Sequence, residues 1–185
     1  MKRAVSFLSA IIMLFAFASC GQQEISPETY LGEGTKIRFR MLVDANQKLY
    51  NDVFVLDRLE CDESKAFEKD GERWAPVTDK SYSSYKMLED HIKEVYTEEC
   101  AAKLLEDYDF YREIDGVFCL RLTETPGGGK KWARDNTAEP RITENKDGSY
   151  TAVYRLVCEN KSMKEKFTFV RTDSGFRLDE LRAAD

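Results

Sequence analysis

Residues that could do acid–base or nucleophilic chemistry are few in this 185-residue chain, which contains one histidine, His91. A lone histidine acting as a general base needs a nucleophile beside it, and the only candidate thiol is Cys100. The two residues are nine positions apart and fall on different predicted helices. We therefore interpret His91 as a surface or half-buried residue. Most zinc hydrolase sites need a second imidazole and are excluded.

A glycine-rich segment over residues 125–131, with the sequence TPGGGKK, superficially resembles a phosphate-binding loop. The P-loop pattern requires glycine where this chain has Glu124, and serine or threonine where it has Lys131. No helix is predicted after the segment. We therefore interpret it as a flexible hairpin loop.

Carboxylates are abundant, since the chain has 34 acidic residues. A glycosidase needs two of them at a set separation across a cleft, which spacing in sequence cannot establish. The segment Asn145–Gly148 is too short for a calcium loop, and neither a metal site nor a cofactor is expected. Most of these carboxylates are interpreted as solvated charge. One cluster is a candidate contact patch for a basic partner: Glu98, Glu99, Glu106, Asp107, Asp109 and Glu113.

Aromatic side chains concentrate near a predicted helix pair and a predicted hairpin. Packing in the core is the simpler interpretation of them. The alternative is a cleft between helices and a curved sheet that binds a small ligand or a peptide. The candidate cleft residues are Trp74, Tyr82, Tyr85, Trp132, Tyr154 and Arg155.

The N-terminal segment has the pattern of an export signal. Lys2 and Arg3 precede an uncharged run of 16 residues, shorter than the roughly 20 needed to span a membrane. The sequence Phe17-Ala18-Ser19-Cys20 resembles a bacterial lipobox, in which cleavage precedes an acylated cysteine. We expect a signal peptide over 1–19, a lipidated Cys20 with a flexible tether over 20–34, and one domain over 35–185. The protein is then exported and lipid-anchored to a bacterial membrane.

The charge balance limits the classes of partner. The formal net charge is −6, and loss of Lys2 and Arg3 with the signal would make it −8. A nucleic acid partner is excluded because phosphates require a basic surface. An anionic membrane would repel the domain, so membrane contact is expected through the anchor only. Basic or neutral partners are favoured.

Apart from Cys20, the chain contains Cys61, Cys100, Cys119 and Cys158. Four cysteines allow three disulfide connectivities. Because Cys119 and Cys158 both lie in predicted strands, a disulfide between them is one hypothesis. The alternative is four buried thiols that pack as small hydrophobes. No C-x-x-C motif supports a thioredoxin-type redox site.

Hydrophobic spacing and capping residues predict three helices. The first covers 45–60 with Asp44 as N-cap, although Val53-Phe54-Val55 would also suit a strand. Residues 37–41 before it fit a short strand or a helix lead-in. The second covers 85–96 with Ser83 or Ser84 as N-cap, and the third follows Thr97.

Turn dipeptides predict antiparallel hairpins. Asp70-Gly71 joins 64–69 to 72–77, and Asp115-Gly116 joins 108–114 to 117–122. Asp147-Gly148 joins 140–143 to 150–158, and Ser174-Gly175 joins 167–172 to 176–178. The expected fold class is therefore α+β, with N-terminal helices packed on a curved antiparallel sheet.

A series of short motifs resembles a known family. The motifs are Gly71–Val77, Tyr85-x-x-Leu88, Val95-Tyr96-Thr97, Ala101-Ala102 and Ile114-Asp115-Gly116. Over residues 64–178 this series resembles the bacterial inhibitors of cell-wall D,L-endopeptidases, the IseA family, and the broader cystatin-like or NTF2-like lipoproteins. The resemblance implies a non-catalytic cell-envelope protein that docks on a basic cell-wall hydrolase and blocks its cleft. The alternative it implies is an NTF2-like domain that binds a small ligand or a peptide.

Overall fold

The computed structural model describes residues 31–122 and 129–181. The predicted signal peptide, Cys20 and most of the predicted tether lie outside the described residues. Among the helices within these two ranges, none combines the length and the apolar character that a membrane crossing requires.

The described part of the chain contains three α-helices and nine strands. The helices are α1 (Glu33–Leu49), α2 (Tyr85–Val95) and α3 (Glu98–Asp107). The strands are β1 (Phe67–Lys69), β2 (Glu72–Pro76), β3 (Tyr111–Ile114), β4 (Val117–Arg121), β5 (Ala133–Arg134), β6 (Arg141–Glu144), β7 (Tyr150–Cys158), β8 (Lys161–Thr172) and β9 (Gly175–Leu178).

Helix α1 begins twelve residues before the predicted first helix, so the predicted range 45–60 is wrong. Phe39, Leu42, Val43 and Leu49 are buried at helical spacing and define its inner face. Asp44 is not an N-cap. It lies in mid-helix, and its carboxylate forms a bidentate ion pair with Arg134 at 2.8 and 2.9 Å. The helix ends in a π-helical turn over Tyr50–Phe54.

Helices α2 and α3 are confirmed together with their caps. The Ser84 side chain accepts a hydrogen bond from the Met87 N–H, and the Thr97 side chain accepts one from the Cys100 N–H. Leu88, Ile92 and Val95 form the buried stripe of α2. These caps fix where each helix starts.

The first sheet has the strand order β1-β2-β4-β3, and all its pairs are antiparallel. Its two hairpins turn at the predicted positions, Asp70-Gly71 and Asp115-Gly116. Both turn glycines have φ of +80°, a backbone region that glycine adopts without steric cost.

The second sheet has β7 and β8 at its centre. Strand β9 pairs with β8, while β5 and β6 both pair with β7. The hairpins at Asp147-Gly148 and Ser174-Gly175 are confirmed. The hairpin joining β7 to β8 has no glycine. Glu159 takes φ of +52° there, so the turn lacks the usual sequence signal and β8 begins six residues earlier than predicted.

The α+β fold class is confirmed, with all three helices preceding the second sheet along the chain. The strands divide into two sheets where the sequence predicted one. Helix α1 packs on the inner face of the second sheet, where the Phe39 ring stacks on Phe169 with centroids 3.9 Å apart. Ala152, Tyr154 and Leu156 alternate along β7 into the same core.

Candidate functional site

The residues proposed as a cleft do not come together, so the prediction of a shared cleft is wrong. Trp74 lies in a small separate cluster with Ile114 and Cys119. On β7, Tyr154 points into the main core, while the adjacent Arg155 points to the opposite face of the sheet. Consecutive strand residues face opposite sides, so these two cannot line one cavity.

The other aromatic residues of that set pack in the main core or at its edge. Trp132 is buried, and its carbonyl accepts a hydrogen bond from the Asn51 side chain at 3.0 Å. Tyr85 is half-buried, with its ring centroid 6.1 Å from that of Phe118. Core packing therefore accounts for these aromatic side chains.

His91 is held by Tyr82, a contact that the sequence did not indicate. The Tyr82 hydroxyl lies 2.6 Å from His91 Nδ1, beside a crevice of about 580 Å³ that Lys48 and Met87 also line. Burial and the nearby Lys48 lower the pKa of His91 below 6.5. Burial, with a smaller contribution from Asp79, raises the pKa of Tyr82 to about 12. Both groups are therefore neutral at pH 7.

Cys100 does not have the properties of an activated nucleophile. Burial, reinforced by Asp179, raises the pKa of its thiol to about 11. A reactive cysteine needs a lowered pKa, because the thiolate is the attacking species. The side chain of His91 is bonded to Tyr82 rather than to this thiol.

The hypothesis of a Cys119–Cys158 disulfide is wrong, because Cys61, Cys100, Cys119 and Cys158 are all free thiols. Cys119 pairs with Arg112 in the first sheet, whereas Cys158 pairs with Lys161 in the second. The predicted strands are real, but they belong to different sheets.

The two lysines at the end of the glycine-rich segment are paired with acids. Lys130 contacts Glu159 at 2.8 Å, and Lys131 contacts Asp52 at 2.7 Å. Residues 125–128 of that segment lie outside the described residues. Over the rest of the structure, no group of three or more histidine, cysteine, aspartate or glutamate side chains could hold a metal ion.

Most of the predicted acidic patch lies on one helix. Glu98 and Glu99 form the first turn of α3, where carboxylates interact favourably with the helix dipole. Glu106 and Asp107 form its last turn, where the dipole opposes them, and no basic residue accompanies them there. None of these four exposed carboxylates forms an ion pair with any described lysine or arginine. We call these four residues the α3 acidic face.

The two remaining members of the predicted patch differ from this set. Asp109 is already neutralised, since Arg112 donates two hydrogen bonds to it, and the pair lowers the pKa of Asp109. Glu113 is exposed on β3. Asp109 is therefore not available to a partner in the way that the α3 acidic face is.

A groove of about 400 Å³ runs between α3 and the segment after β9. The sequence did not indicate that Asp179 and Glu180 would join Glu99 and Asp107 around it. Lys103 is the one basic residue of this lining, and Leu104, Tyr108 and Leu181 add apolar surface. The groove suits a basic side chain with an aliphatic stem, such as lysine or arginine.

No protein-family profile matches the chain, and no curated protein matches it significantly.

Proposed function

We propose that the chain is a non-catalytic cell-envelope lipoprotein whose α3 acidic face docks on a basic partner protein. The observation that carries the proposal is a set of four exposed carboxylates on one helix with no ion-pair partner among the described residues. Two of them oppose the helix dipole, so they lower stability where they stand. Surface charges that do not serve the fold are expected where they attract a partner.

The partner class that we propose is a cell-wall D,L-endopeptidase, as the resemblance to its inhibitors implies. Binding would place α3 and its groove against the cationic rim of the enzyme cleft and exclude substrate. Two observations support a binding role over a hydrolytic one. The pKa of the Cys100 thiol is raised, and His91 is hydrogen-bonded to Tyr82 rather than to a nucleophile. The chain would be anchored through Cys20.

The test measures digestion of cell walls by the D,L-endopeptidases of the same organism, with and without the protein, at low and high salt. We expect inhibition that fades with salt, because exposed charges are screened over about 10 Å at 0.1 M. The variant E98Q/E99Q/E106Q should weaken inhibition about tenfold, taking roughly 0.5 kcal/mol for each exposed pair.

A matched control removes three other glutamates, E60Q/E63Q/E68Q. These residues are also exposed and form no ion pair with a described residue. We expect this variant to inhibit like the original protein. Equal weakening by both triple variants, or no inhibition at low salt, would contradict docking through α3.

A further inference from the structure

The outer face of the second sheet is basic although the protein as a whole is acidic. The side chains of Arg141 on β6, Arg155 on β7, and Lys164 and Lys166 on β8 are all exposed. The helices pack on the other face of this sheet, around Ala152, Leu156 and Phe167. We call the four cations the basic sheet face.

Strand register brings the four cations into two adjacent rows. Arg155 lies directly opposite Lys164, and Val153 lies between Arg141 and Lys166 in the neighbouring row. Side chains directly opposite each other on a sheet face are about 5 Å apart at Cβ, and like charges there are destabilising. The arrangement therefore weakens the sheet rather than stabilising it.

Acidic residues of the domain neutralise little of the positive charge on this face. Arg155 has Asp135 at 3.5 Å, whereas Arg141, Lys164 and Lys166 form no ion pair with any described residue. Thr151, Val153 and Thr168, which share the face, are uncharged. Arg177 on β9 lies opposite Val170 on the same face, and its side chain donates a hydrogen bond to the Lys93 carbonyl at 3.0 Å. Three cations are thus left to interact with anions outside the domain.

We propose that the basic sheet face docks on the phosphate groups of the anionic phospholipid surface to which the chain is tethered, a proposal that rests on the proposed anchor at Cys20. Only 12 residues separate Cys20 from Glu33, so the tether spans at most about 45 Å. A domain of this size has a radius of gyration of about 15 Å. Any of its faces can therefore turn to the membrane.

The local charge of the basic sheet face is opposite in sign to the net charge of the protein. The Debye length is about 8 Å at physiological salt, so the membrane interacts with the nearest face and not with the whole molecule. The α3 acidic face is made of exposed carboxylates on a helix whose buried residues, Ala101 and Leu104, join the main core, so it shares no residue with the basic sheet face. Docking by the sheet would therefore use none of the α3 carboxylates.

The experiment measures the reactivity of individual lysines in the lipidated protein, which is expressed as the full chain and reconstituted in vesicles. Flotation with pure phosphatidylcholine vesicles first reports whether the anchor is present. Amine acylation rates at each lysine are then measured by mass spectrometry in pure phosphatidylcholine and in an equimolar mixture with phosphatidylglycerol. We expect slower acylation of Lys164 and Lys166 in the mixture, no change at Lys103, and loss of the difference at about 1 M salt.

Two variants make the test quantitative, with Lys166 as the reporter. The change K164Q should reduce the protection of Lys166 about fivefold, which corresponds to about 1 kcal/mol for each basic residue near an anionic surface. The change K80Q removes the charge of another exposed lysine, which lies elsewhere, and should leave Lys166 protected.

Three outcomes would overturn membrane docking. These are equal reactivity of Lys164 and Lys166 in both vesicle types, protection of Lys103 instead, and equal protection by soluble glycerol phosphate oligomers with pure phosphatidylcholine. The last outcome would identify a soluble polyanion as the ligand. Loss of flotation would overturn the anchor, and failed endopeptidase inhibition would overturn the proposed function without affecting the lysine readout.

Discussion

Neutralising two carboxylates at the start of helix α3 and two at its end is expected to change stability in opposite directions. Glu98 and Glu99 lie in the first turn, near the partial positive charge of the helix dipole, and Glu106 and Asp107 lie in the last turn, near the partial negative charge. An exposed charge at a helix end contributes about 0.3–1 kcal/mol, with a sign set by the end. The last turn contains no basic residue to offset the repulsion.

The variant E106Q/D107N is therefore expected to increase the free energy of unfolding by about 1 kcal/mol, and E98Q/E99Q to decrease it by a similar amount. For a domain of about 150 residues, each change corresponds to a shift in Tm of about 2–4 °C. Both variants remove two negative charges, so any general effect of net charge is the same in each. The difference between their free energies of unfolding therefore isolates the effect of the helix dipole.

Urea denaturation followed by tryptophan fluorescence would measure these changes, since Trp74 and Trp132 are both buried. The difference between the two variants should shrink at about 1 M salt, where charges are screened within about 3 Å. Destabilisation by E106Q/D107N would refute the reasoning, because it would mean that these carboxylates make structural contacts. Effects of equal sign at both ends would refute it as well.

Two further predictions concern the buried polar groups. The pKa of His91 is lowered by burial and by Lys48. The contribution of neutral His91 to stability is therefore intact above pH 6.5 and is lost as the pH falls from 6.5 toward the lowered pKa. The variant H91Q should show a shallower loss of unfolding free energy between pH 8 and pH 5 than the original protein. The Tyr96 hydroxyl donates to the Asn46 side chain at 2.9 Å, whereas the buried Tyr154 hydroxyl has no hydrogen-bond partner among the described residues. Urea denaturation should therefore show Y96F less stable by about 1 kcal/mol and Y154F unchanged or more stable, and the reverse order would contradict this account of the two hydroxyls.

Local signals predicted the elements best where a single residue type determined the geometry. Ser84 and Thr97 fixed the starts of α2 and α3, because a side-chain oxygen satisfies an N–H that the helix leaves unpaired. Gly71 and Gly116 marked two hairpins, because their φ is positive. Asp44 misled the prediction of α1, since the same carboxylate that could cap a helix also suits a surface ion pair with a distant arginine.

Most of the candidate site could not be predicted, because it depends on residues distant in sequence. The acidic residues of α3 were identifiable from their spacing, yet the groove beside them also needs Asp179, which reaches α3 through its bond with Thr97. The contact between Tyr82 and His91 spans the loop before α2 and the helix itself, and only the folded chain sets its distance.

The sequence alone determined the acidic net charge, the α+β class, and the helix caps and glycine turns, because each depends on composition or on residues within a few positions of one another. Tertiary structure decided which strands share a sheet. It separated Cys119 from Cys158, directed Tyr154 and Arg155 to opposite faces, and placed Arg155 opposite Lys164. Pairing register depends on how whole faces bury their apolar side chains together, and that is a property of the assembled core rather than of any local segment.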